Sequence, residues 1–200
     1  MAKLDPASPA ADPWLPPWLP TIAAHARGAS ILELGCGAGW DTAALTGLGV
    51  PVIALDCEGR ALAQARQRAP DALFHQGDLR EPFPVPEGSV GVVLASLSLH
   101  YFPWGDTCEI VARIHAALRP GGLLLGRFNS INDHNHGASG HPQLAENFYL
   151  VAGKPKRFFD QDSLGALFAD DWRVLSRAEH VIHRYAQPKA VWELAAEKRD

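Results

Sequence analysis

Two hydrophobic periods alternate along this chain, and the switches between them mark out a succession of strands and helices. Residues 30–34 are an apolar run that breaks into three alternating glycines, Gly35, Gly37 and Gly39. An alanine-rich helical stretch follows over 41–48. A second apolar run at 52–55 ends in Asp56. Residues 59–69 read as a helix with Ala61, Leu62, Ala65 and Ala69 on one face, stopped by Pro70. A short strand is predicted at 72–76. A near-continuous apolar run at 90–97 fits a parallel strand covered on both faces. The helix predicted at 106–118 turns Ile110, Val111, Ile114, Ala117 and Leu118 inward, and a turn at Arg119-Pro120-Gly121-Gly122 leads into a strand at 123–128. Strands alternating with helices over short connections predict a parallel sheet flanked by helices.

The two ends of the chain depart from this rhythm. Residues 129–155 are polar and rich in Gly, His and Asn; a connection so long reads as a lid-like loop. A helix is predicted over 158–168, with an acidic start at Asp160-Gln161-Asp162-Ser163. Strands at 172–185 and 190–197 follow, and their short connection, 186–189, implies an antiparallel hairpin. At the other end, 1–12 are small, polar and rich in Pro and Ala, and 13–20 are too proline-dense for a helix or a central strand. Trp14 and Trp18 in that stretch either anchor an arm on the body or place it over a ligand. A short helix is predicted at 21–27. The domain reading is an arm, 1–28, and one domain, 29–200.

The glycine turn carries the chemistry. A strand, a glycine-rich turn and a helix N-terminus in succession predict free N–H groups suited to an anionic group. Asp56, closing the next strand, holds the position from which a carboxylate reaches a ribose diol. The dinucleotide fingerprint is G-x-G-x-x-G; this turn is G-x-G-x-G, with Trp40 where a small residue is wanted and Asp41 behind it. Both disfavour a pyrophosphate. Glu33-Leu34-Gly35-Cys36-Gly37-Ala38-Gly39 resembles instead the cofactor loop of class I S-adenosylmethionine-dependent methyltransferases.

That resemblance covers residues 30–197 and implies a Rossmann-like three-layer α/β sandwich. Its mostly parallel seven-stranded sheet would end in an antiparallel C-terminal hairpin. It implies S-adenosylmethionine as cofactor, S-adenosylhomocysteine as product, and cofactor contacts from Glu33, Gly35, Cys36, Gly37, Gly39, Asp56 and Cys57. Asp78 and Leu79 match the adenine-binding segment, and 92–100, including Ala95, matches the fourth motif beside the sulfonium. Leu118-Arg119-Pro120-Gly121-Gly122 matches the L-x-P-G-G turn. The aspartate common in the fourth strand is missing, with Gly91 near its place. The shape is similar to small bacterial members related to the tellurite-resistance methyltransferases. His100 and Tyr101, just past the fourth strand, stand where such folds react, and His100 is the candidate base. Arg127, Asn129 and Tyr149 are candidates to hold a polar acceptor, a small molecule such as a thiol, a metalloid or chalcogen, or another small nucleophile.

Two other readings share these residues. An NAD-dependent short-chain oxidoreductase would need a Tyr-x-x-x-Lys pair, and the match, Tyr185 with Lys189, falls in the predicted hairpin. A non-catalytic S-adenosylmethionine sensor would keep the cofactor half alone. The formal net charge of −4, with Lys154-Pro155-Lys156-Arg157 as the longest basic run, argues against nucleic acid. Cys36, Cys57 and Cys108 lack zinc spacing, and His134, His136 and His141 do not complete a ligand set, so no metal is expected. With no apolar segment long enough for a membrane span, a cytoplasmic monomer or homodimer is expected.

Overall fold

The computed structural model describes residues 12–199; the first eleven residues of the expected arm, and Asp200, lie outside them. Strands β1 (Ser30–Leu34), β2 (Val52–Asp56), β3 (Leu73–Gln76), β4 (Val90–Ser96), β5 (Leu118–Asn129), β9 (Trp172–Ile182) and β10 (Lys189–Lys198) form a seven-stranded sheet. Its order is β3-β2-β1-β4-β5-β10-β9. The first five strands are parallel, with Leu32 opposite both Ile53 and Val93; β10 is antiparallel to β5 and to β9. This is the Rossmann-like α/β sandwich, with the antiparallel hairpin at its C-terminal side.

Each face of the sheet buries its own apolar layer. On one face Leu32, Leu34, Val93, Leu124 and Phe128 meet Ile110 and Ile114 of α4 (Trp104–Ala117) and Leu164 of α5 (Gln161–Leu167). On the other, Ile31, Val92, Leu94, Leu123 and Leu125 meet Ile22 of α1 (Leu19–His25), Leu45 of α2 (Trp40–Thr46), and Trp14 and Leu15. Helix α3 is Gly59–Arg68. β4 is buried along its length up to Ala95, as its unbroken apolar run requires.

Several local expectations are corrected. Residues 119–122 do not separate helix from strand. β5 already pairs at Leu118 with Val90, and the ladder resumes at Leu123 opposite Val92, so the four residues between are looped out. Gly91 faces that irregularity, and a β-carbon there would lie 2.3 Å from the His25 carbonyl oxygen. The end of α1 therefore excludes an aspartate. The proline-dense segment is partly helical: Pro16–Trp18 is a 3₁₀ turn and α1 begins at Leu19, because proline in a first helical turn removes no needed donor. The helix expected over 158–168 is only α5, begun by an Asp160–Ser163 capping box. Phe158 and Phe159 are buried in extended chain, and Phe159 bridges to Ser130.

The long connection is structured. Strands β6 (Gln143–Ala145), β7 (Phe148–Val151) and β8 (Lys154–Arg157) make a separate antiparallel sheet. Its β7–β8 turn places Ala152 at φ 49° and Gly153 at φ 77°, the left-handed pair that suits the twist of a two-residue hairpin.

Candidate cofactor and acceptor site

The three turn glycines have different reasons to be glycine. All have positive φ. A β-carbon on Gly39 would lie 2.8 Å from the Ala65 backbone, so that glycine lets α3 approach; Gly35 is pressed harder still against Ser98. Around Gly37 nothing lies within 4 Å of the place a β-carbon would take. The middle glycine opens to space.

The expectation of free N–H groups is corrected. Gly35 N–H and Cys36 N–H both donate to the Leu55 carbonyl, at 2.7 and 3.1 Å, and Gly39 N–H donates to the Cys36 carbonyl at 2.9 Å. Gly37 N–H donates to Asp56 Oδ2 at 2.7 Å. Four turn amides are thus satisfied internally, which leaves a poor nest for a pyrophosphate. Asp56 accepts a second bond on Oδ1, from Glu58 N–H at 2.8 Å. Each of its oxygens keeps a lone pair for a further donor.

The other cofactor candidates fall around this turn with varied availability. Glu33 is buried and accepts from the Thr42 hydroxyl at 2.6 Å; burial, and then the charge of Asp41, push its pKa up to about 8. Cys36 is buried and Cys57 exposed, and burial raises both thiols above their ordinary value. Asp78 does not stand free to meet an adenine. Arg80 grips it in a fork, Nε to Oδ1 at 3.0 Å and Nη2 to Oδ2 at 2.6 Å, and these bonds hold its pKa down to about 2. Leu79 is buried, with its carbonyl accepting from Arg113 at 2.6 Å, and Ala95 is wholly buried in β4.

Beyond β4 the chain is strained and polar. Leu97 has φ 55°, an uncommon setting for a side chain of its size. Among the described residues, the buried Ser98 hydroxyl and His100 Nδ1 have no hydrogen-bond partner. Burial, then the charges of Lys189 and Lys156, hold the His100 pKa well below its ordinary value, so the ring is neutral at pH 7. Tyr101 is partly exposed, its ring tilted 4.1 Å from that of His100, and burial raises its phenol.

The three acceptor candidates are not brought together. Arg127 is buried at the end of β5, ion-paired to Asp12. Asn129 lies two residues further on, also buried, with neither amide atom partnered among the described residues. Tyr149 belongs to the separate sheet, packed 6.0 Å from Phe158 in a small core with Ile131, Ala138 and Val151. Sequence reasoning missed Asp12, which pairs with Arg127, Arg184, which pairs with Asp12, and Ser98; the paired tryptophans were the available signal for the arm. Trp14 anchors the arm on the body: its ring is buried in the core, caps Arg127 at 4.2 Å and donates to Asp41 at 3.2 Å.

Comparison with known proteins agrees with this geometry. Residues 31–122 match the family model described as a methyltransferase domain. An uncharacterized methyltransferase of Synechocystis sp. is 35% identical over 97 residues, covering 48% of this chain and 45% of that protein. The chain thus spans less than half the length of that relative. Among solved structures, an S-adenosylmethionine-dependent methyltransferase of Methanosarcina mazei superposes with TM-score 0.75 at 18% identity, over 86% of this chain and 92% of that one. The 1,6-didemethyltoxoflavin-N1-methyltransferase of Burkholderia thailandensis, solved with its acceptor and S-adenosylhomocysteine, gives 0.70 at 24% identity, over 94% and 82%. The fold is that of solved methyltransferases.

Proposed function

We propose that this chain is an S-adenosylmethionine-dependent methyltransferase acting on a small-molecule nucleophile. The observation that carries the reading is the pairing of Gly37 with Asp56. The middle glycine opens beside a carboxylate whose two remaining lone pairs match a ribose diol, while the spent turn amides disfavour a dinucleotide. The residues present therefore fit the adenosyl cofactor. Gly35, Gly37, Asp56 and Cys57 would line its ribose side, and Glu33 and Gly39 its methionine side. The matched methyltransferase domain and the Burkholderia enzyme support both cofactor and acceptor class. Kinship with the tellurite-resistance group belongs to this proposal and rests on sequence resemblance.

The cofactor supplies an already activated methyl group, so the protein's work is alignment and exclusion of water. His100, neutral and with Nδ1 unpartnered, can take a proton from an acceptor that must lose one. The sheet of 143–157 covers this rim as a lid. Unpartnered Ser98, His100 and Asn129 argue against a sensor without an acceptor pocket, since buried polar groups without partners are costly.

Calorimetry with S-adenosylmethionine, S-adenosylhomocysteine, NAD and NADP tests the cofactor. Binding of the two adenosyl ligands alone is the expected result, and tight NAD binding without them overturns it. Transfer of labelled methyl to any member of a panel of carboxylic acids, thiols, metalloids and small amines separates enzyme from sensor.

A further inference from the structure

On the α1–α2 face, at the carboxyl end of the sheet, segments far apart in sequence meet around one carboxylate. Arg127 is 2% exposed. Its Nε donates to the Ser96 hydroxyl at 3.0 Å, its Nη1 pairs with Asp12 Oδ2, and Arg184 Nη1 lies 3.3 Å from the same oxygen. Trp14 covers the guanidinium of Arg127. One buried and one partly buried cation are thus aimed at a single carboxylate oxygen, delivered by the arm.

The surroundings are those of a site rather than of a finished ion pair. Asn129 shares the face of Arg127, two residues along β5, and is 1% exposed with both amide atoms unpartnered among the described residues. Arg184 Nε is likewise unpartnered. So is one carboxylate oxygen of Glu193, which sits in register with Arg127 on β10. A contact serving only stability would satisfy these groups, because each one buried without a partner costs about 1–3 kcal/mol. Asp41 stands near both arginines and Glu193 near Arg127, and burial raises the pKa of each of these carboxyls. Planar guanidinium groups match a carboxylate best.

We propose that Arg127 and Arg184 form the recognition site for a carboxylate on the methyl acceptor, and that Asp12 occupies it as a surrogate until the acceptor arrives. This rests on the methyltransferase reading above. Asn129 then bonds the acceptor's neighbouring polar atoms.

The test is calorimetry at saturating S-adenosylhomocysteine with malonate as probe, malonamide as its uncharged control and inorganic phosphate as the alternative anion. Asp12→Asn removes the competing charge and should tighten malonate binding about tenfold, since a competent site is no longer shared with the arm. Arg184→Gln should weaken it about tenfold, while Arg127 is left intact because its loss endangers the fold. Malonate affinity unchanged in Asp12→Asn makes the pair a fixed latch and overturns the proposal, as does equal binding of malonamide or preference for phosphate. If malonate discriminates as expected but S-adenosylhomocysteine fails to bind, the carboxylate site stands and the methyltransferase reading falls.

Discussion

Gly35 and Ser98 are pressed together so closely that a β-carbon on the glycine would lie 2.4 Å from the β-carbon of the serine. The contact locks the glycine turn to the chain leaving β4, the two segments that would flank the sulfonium. Gly35→Ala must push β4 away, and overpacking of this kind costs about 1–3 kcal/mol. Gly37→Ala meets open space and bears only the strain of its positive φ, about 1–2 kcal/mol. Thermal unfolding should show the larger loss for Gly35→Ala. Calorimetry should show Gly37→Ala abolishing S-adenosylhomocysteine binding in a folded protein. Equal affinity in Gly37→Ala and the parent would remove the cofactor from this turn.

Asp56 holds the turn as well as offering itself to a ligand. Asp56→Ala leaves the N–H groups of Gly37 and Glu58 without their acceptor, so the ligand-free protein should lose about 1–3 kcal/mol. Cofactor affinity should drop by about one to two decades, a charged hydrogen-bonding partner being worth roughly 1.5–3 kcal/mol. Asp56→Asn retains the acceptor for one of the two N–H groups and should recover part of the stability but not the affinity. Denaturant titration beside calorimetry separates the two effects.

Glu33 carries a proton in the folded state at neutral pH. Its pKa of about 8 lies above its ordinary 4.5, so the folded chain binds the proton more tightly than the unfolded chain. That contribution to stability is complete below pH 4.5 and is lost as pH rises through 8. Glu33→Gln cannot ionise and should flatten the stability profile between pH 5 and 8.5. Each 1 kcal/mol corresponds to about 2–4 °C in a chain of this size. Parallel profiles for parent and variant would place the proton elsewhere.

On the reading proposed above, the neutral state of His100 sets the acid side of activity. Because its pKa is held well below 6.5, the rate should stay level from pH 7.5 to 6.5. His100→Gln should lower kcat by about 10²–10⁴ with cofactor affinity unchanged. A variant that turns over as the parent does would leave His100 with no proton to move.

Lid closure over the rim should appear in amide exchange. Residues 130–142 precede the small sheet and have few ladder bonds, so S-adenosylhomocysteine with an acceptor should slow their exchange more than that of 172–182. Protection confined to 35–39 and Asp56 would make the insertion a fixed wall.

Much of the sheet was legible in the sequence because strands such as β1 and β4 are buried apolar runs set between turn residues. Val90–Ser96 and the turn at Gly35 announced themselves in this way. The insertion was not legible. Its β7–β8 turn uses Ala152 in a left-handed setting where asparagine or glycine would have signalled a hairpin, and Gln143–Ala145 is fully exposed, with no apolar alternation to betray it. Glu33, Gly37 and Asp56 were readable as a set because they lie within one βαβ unit. Arg127 was named without its partners, since nothing local in the sequence ties residue 127 to residues 12 or 184. The Arg80 fork on Asp78 was not legible either, since no spacing rule outside a helix marks a residue two positions on as a partner.

The distances along the chain differ sharply between the two halves of the pocket. Gly37 and Asp56 are 19 residues apart, whereas Arg127 and Asp12 are 115 apart, and Arg184 joins them only after β9 has been made. Loop-closure entropy is therefore spent early and cheaply on the nucleoside side and late on the acceptor side. During synthesis the first half can assemble while the second still lacks its last strand. A nascent chain would hold the glycine turn against Asp56 before the cluster of Asp12, Arg127 and Arg184 could form.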